Sequence, residues 1–201
     1  MKKRTNFVRA GILGDERSFL LIAVLASLSF LLHCGSSGGG GVIETTKPPT
    51  FTGSGTTPGP NLVTMADGGT APGSLIQVDI KIGGPTTSSD LFSFSFDVVL
   101  SNPSVIESVE TVAGDALTGD TAILISPIEN GRVVVGVAKK GGAGNRVASA
   151  DATIVGLVFK MSPNTPGSTT LKFEQATTQD SQGVDLPINF DGATARIEQL
   201  H

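Results

Sequence analysis

The sequence predicts an all-β fold, an antiparallel β-sandwich with Greek-key or jelly-roll connections. Apolar and polar residues alternate with a period of two in one segment after another between residues 62 and 199. Gly, Pro, Asn and Asp bound these segments, as they bound strands in sandwiches. No stretch repeats apolar residues at the helical spacing over three turns. We therefore expect roughly eight or nine short strands and no long helix.

The clearest alternation lies in two segments near the start of this region. Residues 75–82 place four β-branched side chains on one face, and residues 91–100 place three phenylalanines on one face. The second segment predicts a central core strand, with Phe92, Phe94 and Phe96 inside and Ser93, Ser95 and Asp97 towards solvent. The remaining predicted strands are residues 105–112, 123–126, 132–138, 153–161, 169–174 and 194–198.

Residues 1–34 have the pattern of an export signal. Five basic residues precede an apolar run of 14 residues at 19–32, shorter than the roughly 20 needed to span a bilayer. The run ends in Leu31-Leu32-His33-Cys34, which resembles the lipobox of bacterial lipoproteins, although that family has a small residue where His33 stands. The resemblance implies that Cys34 carries a lipid and becomes the mature N-terminus. An unmodified Cys34 in a cleaved peptide is the alternative.

Residues 35–61 have the composition of a flexible linker. Of these 27 residues, 21 are Gly, Pro, Ser or Thr, types that bury little apolar surface. The sequence thus predicts three parts: a signal at 1–34, a linker at 35–61 and a folded domain at 62–199. We expect the domain outside the cytoplasm, anchored by lipid to a bacterial membrane or cell surface.

The residue inventory argues against catalysis, cofactors, metals and nucleic acid. His33, His201 and Cys34 all lie outside the predicted domain, which removes His-based and Cys-based catalytic arrangements. No spacing of carboxylates singles out an acid–base pair, and the segment from Asp180 to Asp185 lacks the ligand density of a calcium loop. After loss of residues 1–33 the chain keeps 9 Lys and Arg against 16 Asp and Glu, a net charge of −7 that disfavours phosphate backbones.

Several short motifs follow one another along the predicted domain. They are Phe94-x-Phe96, Asn102-Pro103-Ser104-Val105-Ile106, Val112-Ala113-Gly114, Asn130-Gly131-Arg132-Val133, Gly156-Leu157-Val158-Phe159-Lys160, Gly167-x-Thr169-x-Leu171-x-Phe173 and Asp191-Gly192-Ala193. Each motif is weak alone, but their order, which covers nearly all of residues 62–199, resembles that of the cohesin domain. The resemblance implies a nine-stranded jelly-roll sandwich that binds protein partners, which in cohesins are the calcium-loaded dockerin modules of secreted enzymes.

We expect the partner to bind one sheet face formed by the predicted strands 91–100, 132–138 and 153–161, which adjoin if the resemblance holds. The alternation exposes a flat and chemically mixed patch on that face. Arg132 is the candidate anchor, because its guanidinium can pair bidentately with a carboxylate, and Asp97 is placed to hold or replace that partner group. The predicted partner-binding residues are Ser93, Ser95, Asp97, Arg132 and Val134, with Gly136 beside them.

Two other functions are also compatible with the sequence. A carbohydrate-binding module can share this sandwich, but sugar-binding faces usually stack rings on Trp or Tyr, and the chain has neither. A structural assembly lipoprotein, which adds a neighbour's strand at the sandwich edge, is the third class.

Overall fold

Strands make up nearly all the regular structure in the computed structural model, which describes residues 47–70, 73–148 and 150–200. The predicted signal, with Cys34 and most of the predicted linker, lies outside the described residues. One 3-10 turn, Pro103–Val105, interrupts the strands. The strands are β1 (Thr50–Thr52), β2 (Leu62–Thr70), β3 (Leu75–Gly83), β4 (Ser93–Leu100), β5 (Ile106–Ala113), β6 (Thr121–Ile125), β7 (Arg132–Lys139), β8 (Asp151–Met161), β9 (Gly167–Gln179), β10 (Asn189–Phe190) and β11 (Ala195–Gln199).

The strands form two sheets. One has six strands in the order β1-β11-β9-β4-β7-β6, and the other has five in the order β10-β2-β3-β8-β5. All neighbouring pairs are antiparallel except β10 and β2, which run parallel. The predicted all-β sandwich is confirmed.

The core lies between the inward faces of the two sheets. Phe94 and Phe96 of β4 are fully buried there, as the alternation predicts, together with Phe159 of β8 from the other sheet. The Phe96 ring packs edge-on against Phe173, with centroids 5.5 Å apart and planes at 88°. Phe190 closes the cluster at 5.3 Å from Phe173. This edge-to-face geometry suits aromatic quadrupoles and adds to the apolar burial.

Some strand boundaries differ from prediction for identifiable reasons. Phe92 precedes β4 and is only half-buried, although its backbone still bonds to Gln179 and Lys139. Strand β9 continues past Glu174 to Gln179 by way of an irregularity at Gln175, whose φ is 47°. Strand β2 shows no sustained period of two, because a bulge between Asp67 and Gly69 breaks its alternation.

Part of the stretch with linker composition belongs to the folded structure. Thr50–Thr52 forms β1 and pairs with β11, and Phe51 packs against the core. Asn61 ties the entry to β2 by exchanging hydrogen bonds with Thr87, at 2.6 and 2.9 Å. The sequence does not predict β1, because three residues are too few to show a period of two. They are nevertheless enough to extend an existing sheet. Among the described residues, no helix is long and apolar enough to cross a membrane.

Candidate binding face on the six-stranded sheet

Strands β4 and β7 bring the predicted site residues together on the outer face of the six-stranded sheet. The two strands are antiparallel neighbours, with Ser95 opposite Gly136 and Asp97 opposite Val134. Ser95 and Val134 are exposed, and Ser93 and Arg132 are half-buried. The alternation that buries Phe94 and Phe96 thus turns these side chains outwards.

The third predicted strand is not part of this face. Residues 153–161 lie in β8, which pairs with β3 and β5 in the five-stranded sheet. The expectation that strands 91–100, 132–138 and 153–161 adjoin is therefore wrong. Alternation predicts which side of a strand is buried, but strands of both sheets show the same pattern, so it cannot assign a strand to a sheet.

Asp97 differs from its predicted exposure. Only 6% of the residue is accessible, because the guanidinium of Arg132 covers its carboxylate. Arg132 bonds to Asp97 through one terminal nitrogen and to Glu174 of β9 through the other, the latter at 2.9 Å. The carboxylates expected from a partner are thus supplied by the domain's own sheet.

This ion-pair cluster of Asp97, Arg132 and Glu174 spans three neighbouring strands, β7, β4 and β9. The hydrogen bond to Asp97 is the main reason that the pKa of Arg132 lies above its ordinary value. Partial desolvation opposes the increase, and the bond to Glu174 adds to it. The cluster carries one positive and two negative charges, and the exposed Lys172 of β9 lies on the same face two residues from Glu174, so charges of both signs are present there.

Leu124 is the most exposed large apolar side chain of the described residues, at 75% accessible, and the sequence analysis did not select it. It lies on β6 opposite Gly136, beside Val134, which is 47% exposed. A shallow depression of about 330 Å³ lies between Ser95, Leu124, Val134 and Gly136. The signal was available: strand 123–126 was predicted, and alternation puts Leu124 on the face opposite Ile123 and Ile125.

Small side chains surround the depression. Gly136 leaves space because a Cβ there would approach only the Leu124 Cβ, at 3.8 Å. The part of the face around Leu124 is therefore a platform of small residues, with the ion-pair cluster farther along β4 and β7. The platform residues are Ser93, Ser95, Ala122, Gly136, Ala138 and Thr177.

The five-stranded sheet presents a different outer surface, with a polar depression of about 290 Å³. The Gln77 amide donates to the Asp79 carboxylate at 2.7 Å, and both side chains lie over Gly156. Asp115, at the rim, accepts a hydrogen bond from the Thr153 N–H at 2.7 Å. This surface offers hydrogen-bonding groups but no aromatic ring among the residues that line it.

Solved structures with this fold include several cohesin domains. The cohesin CaCohA2 of Clostridium acetobutylicum has a TM-score of 0.52 at 14% identity, over 67% of this chain and 87% of its own. The seventh ScaB type I cohesin from Pseudobacteroides cellulosolvens gives 0.51 at 13% identity, over 66% and 88%. The OlpA cohesin of Clostridium thermocellum, solved in a type I cohesin–dockerin complex, gives 0.50 at 16%, over 66% and 94%.

No protein-family model matches the sequence, and no curated protein matches it either. At 13–16% identity the structural likeness establishes the fold alone. The domain has a cohesin-like fold.

Proposed function

We propose that this chain is a non-catalytic, extracytoplasmic binding module whose partner is a protein of the dockerin type. The observation that carries the proposal is the exposed pair Leu124 and Val134 beside the glycine depression, on a sheet face that also bears a fixed charge cluster. The similarity to cohesins crystallised with dockerins supports the same partner class.

Burial of Leu124 and Val134 is the main source of binding energy in this proposal. Removing apolar surface from water yields about 25 cal/mol per Å², and a well-packed leucine contributes about 1.5–3 kcal/mol. The depression at Gly136 accepts a partner side chain next to Leu124, so that both are desolvated together. Interfaces typically concentrate their affinity in a few such central contacts.

The charged residues of the face provide the polar contacts in this proposal. Arg132 already bonds two carboxylates, whereas Glu174 keeps 40% of its side chain accessible and the neighbouring Lys172 is exposed. A Lys or Arg of the partner can pair with Glu174, and an Asp or Glu can pair with Lys172. Charge complementarity of this kind favours specificity and association rate more than affinity.

Carbohydrate is the alternative ligand, and the polar depression of the five-stranded sheet is the observation in its favour. Gln77 and Asp79 are held together there in a form able to bind sugar hydroxyls. Without an aromatic platform, such a site relies on hydrogen bonds that compete with water, each of which contributes only about 0.5–1.5 kcal/mol net. We therefore rank it below the protein partner.

The proposed attachment is a lipid on Cys34, from which a segment of Gly-, Pro-, Ser- and Thr-rich composition leads to the domain.

Capture of partners from the extracellular fraction of the producing cells tests the proposal, with the wild-type domain and Leu124→Asp as baits. We expect a dockerin-bearing protein with the wild type and at least about a tenfold loss of affinity with Leu124→Asp. Val112→Asp is the matched control, since Val112 is 47% exposed on an edge strand of the other sheet. Equal loss in both variants, or capture of polysaccharide alone, contradicts the proposed face.

A further inference from the structure

The four sheet edges of the described residues differ in how they are protected against further pairing. Strand β1 has three residues and β10 has two, which leaves little backbone to pair. Strand β5 carries Glu107 and Glu110 and a register shift between Ile106 and Ser108. Strand β6, with the sequence Thr-Ala-Ile-Leu-Ile, has no charge, proline or bulge. Charges, bulges and short strands are the usual means of preventing edge pairing. Strand β6 has neither a charge nor a bulge along its five residues.

The hydrogen-bond phase of β6 leaves alternate backbone groups free at this edge. Ser126 N–H donates to the Val134 carbonyl, and Lys140 N–H donates to the Asp120 carbonyl. Even-numbered residues of β6 therefore bond to β7, and the N–H and C=O groups of Thr121, Ile123 and Ile125 point away from it.

An apolar groove of about 710 Å³ opens on the same edge of the sandwich, between β5 and β6. Its walls include Ile106, Val109, Ile125, Pro127 and Ile128. An occupant that pairs with β6 thus covers both unpaired backbone and apolar surface.

We propose that the occupant is a second copy of this chain, which pairs antiparallel through β6 to make a two-fold symmetric dimer. In the register that pairs all five residues, Ile123 lies opposite Ile123 of the second copy, and Thr121 lies opposite Ile125. Each N–H and C=O group that points away from β7 then meets a bonding partner on the second copy. On the outer face, Ala122 then lies opposite Leu124, a small residue against a large one. In a two-fold symmetric interface, a charged residue near the axis lies close to the same residue of the second copy, and the two repel each other. Strand β6 has no charged residue, so this repulsion does not arise.

Paired cysteines test this register in the full-length chain. With Cys34→Ser as background, Ala122→Cys with Leu124→Cys places two thiol pairs at the close, non-hydrogen-bonded positions, where Cα atoms lie about 4.5 Å apart and a disulfide fits. We expect a covalent dimer on a non-reducing gel after mild oxidation of the purified protein. Glu110→Cys with Val112→Cys is the matched control, because it has the same spacing on the exposed face of edge strand β5, and it should stay monomeric.

Charge variants in the same background test the interface without cysteines. Ala122→Glu with Leu124→Glu sets like charges opposite each other, and we expect dimerisation of the detergent-solubilised chain to weaken at least about tenfold in sedimentation. Ala122→Lys with Leu124→Glu sets opposite charges at the same paired positions and should restore dimerisation. A cysteine variant that stays monomeric overturns the proposal. Thiols that still react with maleimide then indicate an open edge, and protected thiols indicate cover by residues 1–46. No binding partner is present in these experiments, so the result does not depend on the proposed function.

Discussion

Arg132 on β7 covers the carboxylate of Asp97 on β4, and with its second terminal nitrogen it reaches Glu174 on β9. The outward position of Asp97 is therefore buried, although alternation predicts it to be exposed. Arg132 thereby joins three strands of the six-stranded sheet. Its first role is to neutralise a desolvated carboxylate, and removing it leaves that charge without its partner.

We expect Arg132→Glu to destabilise the domain, because it removes the partner of the buried Asp97 carboxylate and puts a like charge beside it. Thermal unfolding measures the effect as a fall of several degrees in melting temperature. Lys140→Glu, the same charge change at an exposed residue just past the end of β7, is the control. Similar melting temperatures for both variants would mean that Asp97 does not depend on Arg132.

Phe96 should be the most sensitive position of β4. Its ring is fully buried and contacts Phe173 and Phe190, so Phe96→Ala leaves a cavity between the sheets. We expect a loss of about 3–5 kcal/mol in the free energy of unfolding, measured by denaturant titration, and a similar loss for Phe94→Ala. Phe92→Ala, at the half-buried residue before β4, should cost clearly less. A Phe92 variant as unstable as the other two contradicts this ranking.

Gly114 should not tolerate a side chain. A Cβ at this residue would lie 2.0 Å from the Thr153 carbonyl oxygen, which accepts hydrogen bonds from the Asp115 and Ala116 N–H groups at 2.8 Å. Gly114→Ala therefore pushes the end of β5 away from β8, at a cost of about 1–3 kcal/mol. Gly192→Ala is the control, because its Cβ meets no atom within 4 Å. Equal unfolding midpoints for the two variants would rule out the close approach at Gly114.

Asp90 should make the fold sensitive to acid. The hydroxyl of Ser181, at 2.7 Å, is the main cause that holds the pKa of Asp90 below its ordinary value, and the Gly144 N–H adds to it. A carboxyl whose pKa is lowered on folding stabilises the fold above its unfolded-state pKa near 3.9, and this contribution is lost as pH falls through the lower folded value.

Unfolding measured between pH 5 and pH 2 tests this contribution. Asp90→Asn should lower stability at pH 5, and its stability should fall less steeply than that of the wild type below pH 4. Ser181→Ala should flatten the curve in the same direction, because it removes the main cause of the shift. Parallel curves for all three proteins exclude the linkage.

Lipid attachment at Cys34 stays a prediction, because this residue lies outside the described structure. Metabolic labelling with a palmitate analogue should mark the wild-type chain and leave Cys34→Ser unmarked. Restoring a small residue with His33→Ala should keep or increase the label, since the lipobox resemblance departs only there. Equal label in the wild type and Cys34→Ser would exclude Cys34 as the attachment site and leave export itself unaffected.

The amino-acid sequence alone predicted the fold class and the inward faces of the strands with the clearest alternation. Those properties are local, because the pleat turns successive side chains to opposite sides and solvent sorts them by polarity. Phe94 and Phe96 were placed correctly on that basis. The resemblance to cohesins, which depends only on the order of motifs, agrees with the structural neighbours.

Only the tertiary structure decided which strands are neighbours, and the binding face depends on that. In the folded chain, strand 153–161 lies in the other sheet, and Leu124 lies beside Gly136. Glu174 and Asp97 both bond to Arg132. Both sheets present the same alternation, so nothing local distinguishes a neighbour in one sheet from a strand in the other. Burial of Asp97 likewise arises from a residue 35 positions away. The energy of such contacts depends on distances that exist only once the chain has folded.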